Sequence, residues 1–218
     1  MKDIFKYDKG IWKVFGIVAD VIVLNIVFIA TCIPIFTIGA AKTALYSQTK
    51  KMIKGEEGYL VKEYFDKFRE NFKASTIMWL IYLAACVLPV IDIWACTIMK
   101  ANFFVTFCMI FMISTLTIFT MTIIYAQALQ CSFENTIKNT LKNGLLLAIG
   151  HFPISLIIII ADLLPLIVIG FFPALTGVAI TAALFAWWVI GACINSYFFN
   201  KIFEMLIPKE QEMSVDEK

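Results

Sequence analysis

The sequence predicts an all-α membrane protein: a polytopic helix bundle of about five transmembrane helices with an amphipathic helical hairpin on its cytoplasmic side. Three observations predict this class. Of the 218 residues, 61% are apolar and only 16% are charged, whereas an ordinary globular domain is about half apolar and a quarter charged. The apolar residues are also collected into blocks of about 20 or more, the length that crosses a bilayer core. Most of the charged residues lie between these blocks.

Five apolar blocks are long enough to cross the membrane. They cover residues 17–38, 75–98, 103–129, 144–170 and 174–199. The stretch MKAN joins the second block to the third, and FFPA joins the fourth to the fifth, so each pair is predicted to be a tight antiparallel hairpin. Residues 1–207 then form a single membrane domain. Residues 208–218 are charged and are predicted to be a solvated, mobile tail.

The distribution of Lys and Arg predicts the orientation. With five crossings, residues 42–73, the loop after the third block and the carboxyl terminus share one side. That side carries most of the 18 Lys and Arg residues, so it is predicted to be cytoplasmic, with the amino terminus outside. Four lysines near the amino terminus conflict with an outside location. Either an amino-terminal helix lying on the outer surface or a first block that does not fully cross would remove the conflict.

Residues 42–73 are predicted to form the cytoplasmic helical hairpin. Aromatic residues recur at helical spacing with charged residues between them, which is typical of an amphipathic helix, and KGEEGY supplies the turn. The aromatic edge has three open interpretations: it enters the membrane interface, it packs under the bundle, or it docks a partner. Packing under the bundle is favoured. The residues of this edge are Tyr64, Phe65, Phe68 and Phe72.

Polar residues inside the apolar blocks are the candidate functional residues, because ionisable groups are costly in a membrane. Asp20, Asp92 and Asp162 are all predicted near the outer face; Asp162, for example, lies about 27 Å along a helix from Gly144. One interpretation is that these carboxylates lie in the headgroup region without a special role. The sharper hypothesis is an outward-facing polar site for a cation or for sugar hydroxyls. The other intramembrane polar residues are Asn25, His151 and Asn195.

A proline and a run of small residues end the first apolar block. Pro34 breaks the helical hydrogen-bond ladder, and the following small residues allow a second helix to approach closely. The segment is predicted to bend into the cytoplasmic hairpin and to pack tightly against a neighbour. The residues of this bend are Pro34, Thr37, Gly39, Ala40 and Ala44.

Motifs of catalysis and of metal binding are absent from the sequence. It contains no G-x-S-x-G, H-E-x-x-H or Walker A pattern, and His151 is its only histidine. The six cysteines include no C-x-x-C pair, so they are predicted to be free and buried. No basic tract with interleaved aromatic residues points to nucleic acid. We therefore expect no enzymatic activity, no catalytic residue, no cofactor, no metal and no nucleic-acid partner.

The stretch LNIVFIATCIPIFTIGAAKTALY resembles the start of the YesL-like family of bacterial integral membrane proteins, a domain of unknown function. A second stretch, YFDKFRENFKASTIMWLI, is also similar to the family. The matching residues are Asn25, Pro34, Thr37, Gly39, Ala40, Thr43, Ala44 and Tyr46 in the first stretch, and Phe65, Phe68, Asn71, Phe72, Lys73 and Trp79 in the second.

The resemblance implies a multi-pass protein of the plasma membrane, largely from Gram-positive bacteria, encoded near sugar uptake transporters and sensor kinases. With the absent catalytic motifs, it favours a non-enzymatic accessory or regulatory subunit associated with carbohydrate uptake or sensing. Its expected partners are the lipid bilayer and either a sugar ABC transporter permease or a sensor kinase; a homo-oligomer stays open. The alternative is a self-contained small-molecule or ion carrier that uses Asp20, Asp92 and Asp162.

Overall fold

The computed structural model describes residues 4–56, 58–100, 102–133 and 135–206, and every regular element within these ranges is helical. This confirms the predicted all-α bundle. The predicted tail, residues 208–218, lies outside the described residues. The main helices are α1 (Ile4–Cys32), α2 (Ile38–Lys54), α3 (Leu60–Ile98), α4 (Phe103–Gln130), α5 (Ile137–Gly150), α6 (Phe152–Phe171), α7 (Thr176–Ala182) and α8 (Trp188–Leu206).

Within the described ranges, four helical segments are long and apolar enough to cross a membrane. A fifth is added if α5 and α6, which meet at a sharp bend, count as one broken span. The chain is therefore a multi-pass membrane protein by the length and composition of its helices. The four continuous segments are Phe15–Cys32, Leu60–Ile98, Phe103–Gln130 and Thr176–Glu204.

The predicted single span over residues 144–170 is instead two helices that meet at 104°. His151 stands at the corner with a non-helical backbone (φ −117°, ψ 41°), and Pro153 follows in the first turn of α6, where its missing N–H costs nothing. Before the corner, α5 packs closely on α4. A Cβ added at Gly144 would lie only 2.8 Å from the carbonyl oxygen of Thr122. The close α4–α5 contact sets the direction of α5, and the corner then turns α6 away from it.

The predicted cytoplasmic hairpin over residues 42–73 is not a separate surface unit. Its second arm is the beginning of α3, which continues without interruption for 39 residues. A helix of that length measures about 58 Å, nearly twice the thickness of a bilayer core. Its first arm, α2, is one of the most buried helices, with residues 39–41 and 43–49 all buried. Gly55 ends α2 in a left-handed conformation (φ 69°) that favours glycine.

The predicted break at Pro34 is present, although α1 ends at Cys32 and not at residue 38. A 3-10 turn, Ile35–Thr37, follows the proline, and the Thr37 hydroxyl donates to the carbonyl oxygens of Thr31 and Pro34, each at 2.6 Å. The indole of Trp79 in α3 donates to the carbonyl of Ile35 at 2.9 Å. The chain then reverses, because the end of α2 lines the same groove as Asp20 in α1.

Aromatic residues form the centre of the core where α2, α4 and α8 meet. Tyr125 and Phe199 pack edge to face with ring centroids 5.0 Å apart, and Tyr46 packs on Phe199 at 5.5 Å. The carboxyl end of α3 and the amino end of α4 are not covered by other helices in this way, since Trp94 is 66% exposed and Phe103 is 90% exposed. Apolar side chains exposed on helices of this length are suited to contact with lipid.

Candidate functional site

Among the described residues, the most buried ion pair lies where α2, α6 and α8 meet. The Lys42 ammonium lies 2.7 Å from Oδ2 of Asp162, and the Asn195 amide donates to Oδ1 of the same carboxylate at 2.8 Å. The side chains of Lys42 and Asp162 are only 20% and 13% exposed. Each carboxylate oxygen therefore has a donor, which is how a buried charge is tolerated.

Tyr46 and Asn195 extend this polar contact into the core. Burial, with the charge of Asp162 as a second cause, raises the pKa of the Tyr46 phenol well above its ordinary value. The phenol therefore stays protonated in the physiological range. Oδ1 of Asn195 is buried without a hydrogen-bond partner in the described part of the chain. Sequence reasoning counted Lys42 only toward topology and missed this contact. The available signal was a single lysine within the uncharged stretch GAAKTALY.

The three candidate carboxylates do not form a shared outer site. Asp162 binds Lys42 at the start of α2, whereas Asp20 lines a groove at the other end of α2, and Asp92 is exposed on the far half of α3. Within the described ranges, no three His, Cys, Asp or Glu side chains lie close enough to hold a metal ion. The prediction that all three carboxylates lie near the outer face assumed a straight fourth span. The 104° bend at His151 instead changes the direction of the helix that carries Asp162.

Asn25 is fully buried and bonds to a distortion in the last apolar segment. Between α7 and α8 the chain makes a π-helical turn, Ala183–Trp187, in which the normal pairing of the backbone shifts by one residue. The Asn25 amide donates to the carbonyls of Ala183 (3.1 Å) and Leu184 (2.8 Å), and its oxygen accepts from the amide of Val189 (3.4 Å). Asn25 therefore stabilises the turn and fixes α1 against α8.

We expect Asn25→Leu to destabilise the protein by about 2 kcal/mol, because buried carbonyls of the π-helical turn lose their donor. The measurement is the midpoint of unfolding of the purified protein in mixed detergent micelles. Ser114→Ala is the matched control: Ser114 bonds only to its own helix, at the carbonyl of Ile110, and should change stability by less than about 0.5 kcal/mol. Equal effects of the two substitutions would contradict this role of Asn25.

His151 lies at the corner between α5 and α6, where its backbone carbonyl accepts from the amide of Ser155 at 3.0 Å. Its Nδ1 is buried and has no partner among the described residues. The Ser155 hydroxyl instead joins this corner to α4 through the phenol oxygen of Tyr125, at 3.1 Å. The position of His151 is thus that of a helix junction.

The four aromatic residues of the predicted edge do not share one environment. Tyr64 is fully buried, and its hydroxyl lies 2.7 Å from that of Thr31 in α1. Phe68 stacks on Tyr64 with ring centroids 6.3 Å apart, and Phe72 packs on Phe68 at 5.5 Å. Phe65 alone of the four is exposed, at 38%. Most of the edge therefore packs under the bundle, as favoured from the sequence, and only Phe65 is left for an external contact.

The small residues after Pro34 form a close helix contact. A Cβ added at Gly39 would lie 2.5 Å from the carbonyl oxygen of Ser75 and 2.6 Å from Cβ of Trp79, both in α3. Ala40 and Ala44 are fully buried, and Thr43 bonds to the Ser75 hydroxyl at 2.9 Å. The predicted tight packing of this segment is thus present, and α3 is the neighbour.

The residues of this packing contact lie within a stretch that matches a protein family. Residues 21–93, which span the last 12 residues of α1, all of α2 and most of α3, match the family described as "Protein of unknown function, DUF624". No curated protein and no solved structure matches the chain. Over this third of its length the chain is similar to proteins of the DUF624 family, and the YesL-like resemblance is consistent with that match.

Proposed function

We propose that this chain is a non-enzymatic accessory or regulatory membrane subunit associated with carbohydrate uptake or sensing. The observation that supports it is that several buried polar side chains pair with one another across helix contacts. Asp162 binds Lys42 and Asn195, and Thr49 bonds to Ser196 at 2.8 Å. Groups paired in this way hold helices together, whereas a carrier needs polar groups that exchange between protein and cargo. The link to carbohydrate rests on the family resemblance of residues 24–46.

The proposed partner is a sugar transporter permease, and the first turns of α3 are the proposed contact. Phe65 is exposed there among charged residues. Val61, one helical turn before it, is 38% exposed, and Tyr59, which immediately precedes α3, is 82% exposed. Exposed aromatic side chains are enriched at the centres of protein interfaces. Phe65 packs edge to face on the buried Tyr64, with ring centroids 5.7 Å apart, but Phe65 is itself 38% exposed, so substitutions at Phe65 can test the contact without removing a fully buried residue.

The test is a mild-detergent pull-down of the tagged full chain from its native host, with stoichiometry measured by mass spectrometry. We expect a permease at near-equal amounts with the unchanged protein, and about tenfold less with Phe65→Ser, a loss typical of a central interface residue. Phe107→Ser is the matched control, since Phe107 is 60% exposed on the apolar half of α4. Recovery of the chain alone, or equal recovery with Phe65→Ser, would contradict the proposal and favour a self-contained carrier.

We also propose a revised orientation in which the amino terminus, the turn after α2 and the end of α8 all face the cytoplasm. Asp20 and Glu56 line one groove, and the end of α8 packs near the same region, with Phe203 on Phe133 and Lys50 bonded to Ser132. The four amino-terminal lysines favour the inner side as well. In this arrangement α1 enters the bundle and α2 returns, so the first apolar block does not fully cross.

This orientation predicts that reporters fused to either terminus give the same result. Green fluorescent protein should fluoresce at both ends, and alkaline phosphatase, which is active only outside the cytoplasm, should be inactive at both. A phosphatase fused after Lys100, in the turn between α3 and α4, is the positive control and should be active. Phosphatase activity at the amino terminus would restore the original five-crossing prediction.

A further inference from the structure

A groove of about 590 Å³ opens at the corner where α1, α2 and α3 meet. Its volume is within the range of small-molecule sites, about 300–1,000 Å³. Its walls come from the middle of α1, the last turns of α2, the glycine-containing turn that follows and the start of α3. The apolar part of the lining includes Ile17, Val21, Met52, Ile53 and Leu60, with Cys193 contributed by α8.

The charged groups of the groove leave an excess of negative charge. Lys51 and Glu63 neutralise each other through an ion pair of 2.7 Å. The carboxylates of Asp20 and Glu56 also line the groove, and neither has a hydrogen bond or ion pair with the described residues. The groove therefore favours a cation.

A buried amide gives the second, independent sign of a ligand. Gln48 lines the groove and is only 2% exposed, and its Nε2 has no hydrogen-bond partner in the described part of the chain. A buried donor without a partner costs about 1–3 kcal/mol. An oxygen atom of a bound molecule would remove that cost. Gln48 thus places an unpaired amide donor beside the inner wall of the groove, and the carboxylates lie on its rim.

We propose that the groove binds an organic ammonium that carries an oxygen acceptor, that is, an amino alcohol group with an apolar chain. The ammonium lies against Asp20 and Glu56, the oxygen accepts from Gln48, and the chain lies on the apolar wall. A bare metal ion fits poorly, because no group of three ligating side chains exists within the described residues. The group belongs either to a free amine or to the headgroup of an aminophospholipid. The second source is available because lipids surround a membrane protein.

Three probes that share a six-carbon chain separate the two recognition elements. N-hexylethanolamine has the ammonium and the hydroxyl, N-ethylhexylamine has only the ammonium, and N-hexanoylethanolamine has the hydroxyl without a charge. Binding is measured by titration calorimetry on the full chain in phosphatidylglycerol nanodiscs, with empty nanodiscs subtracted. We expect saturable binding, with N-hexylethanolamine binding most tightly, N-ethylhexylamine less tightly and N-hexanoylethanolamine least tightly. The affinity of the neutral probe should be at least about tenfold lower than that of N-hexylethanolamine.

Three variants test the assigned residues. Asp20→Asn should weaken both amines about three- to tenfold, as expected for one partly solvated charge. Gln48→Leu should remove the preference for the hydroxyl-bearing amine while leaving N-ethylhexylamine unchanged. Asp92→Asn is the control: Asp92 is also an exposed carboxylate, it lies on the second half of α3 outside the groove, and its substitution should change neither affinity. The folding of each variant is checked before nanodisc assembly: the variant should elute as a single species in the detergent used to purify the unchanged protein.

Nanodiscs containing phosphatidylethanolamine distinguish the two sources. If the lipid headgroup occupies the groove, this lipid should raise the apparent Kd of N-hexylethanolamine, and Asp20→Asn should abolish the competition. If the ligand is a free amine, the lipid should have no effect on the Kd. The proposal is overturned if no probe binds saturably, if the neutral probe binds as tightly as the amines, or if Asp20→Asn and Asp92→Asn behave alike.

Discussion

Gly39→Ala is expected to destabilise the protein by about 2–3 kcal/mol, at the upper end of the cost of forcing one extra methyl group into a packed contact. The new Cβ would lie 2.5 Å from the carbonyl oxygen of Ser75 and 2.6 Å from Cβ of Trp79. Neither atom is the end of a flexible side chain, so α2 and α3 must move apart. That movement also disturbs the Thr43–Ser75 hydrogen bond in the same contact.

Gly177→Ala is the matched control, because Gly177 is also the second residue of its helix and nothing lies within 4 Å of an added Cβ. It should leave stability unchanged or raise it by up to about 1 kcal/mol, since alanine loses less backbone entropy on folding. The measurement is the unfolding midpoint in mixed micelles. If Gly39→Ala proves as harmless as Gly177→Ala, the close approach of α2 to α3 is incorrect.

Composition and block length were sufficient to predict an all-α membrane bundle, because apolar segments of 20 residues have few other stable environments. The tight contact after Pro34 was predictable for a similar reason, since small residues permit close approach of two helices. These features depend on local sequence. The aromatic spacing over residues 64–72 likewise identified a helix, although it could not show that Tyr64 would reach Thr31 while Phe65 stayed exposed.

Contacts between distant segments were not predictable from the sequence. The sharp bend at His151 depends on how α5 packs on α4 through Gly144, and Pro153 alone is equally compatible with a slight kink. The position of Asp162 followed from the wrong assumption of a straight span. The π-helical turn that binds Asn25 has no sequence signature of its own, so Asn25 was recognised as an unusual polar residue but its partners were not.

Single removal of either charge in the Lys42–Asp162 pair should be among the most damaging changes in the protein. Both side chains are largely buried, and taking away one leaves the other as an uncompensated charge between helices. We expect Lys42→Met and Asp162→Leu each to cost about 3 kcal/mol. Asp162→Leu also removes the acceptor of the Asn195 amide, so its effect should be the larger of the two.

The double variant Lys42→Met/Asp162→Leu should be more stable than either single variant, because no unpaired charge remains and the replacements are apolar. The exposed pair Lys67–Glu70 serves as the control: a matching cycle there should show a coupling below about 0.5 kcal/mol. Unfolding midpoints of the four proteins in each cycle give the coupling energies. Additive effects at Lys42 and Asp162 would show that the two side chains do not meet. A large coupling would show that this contact holds α2 to α6, consistent with the proposal that the buried polar groups that pair across helices serve structure.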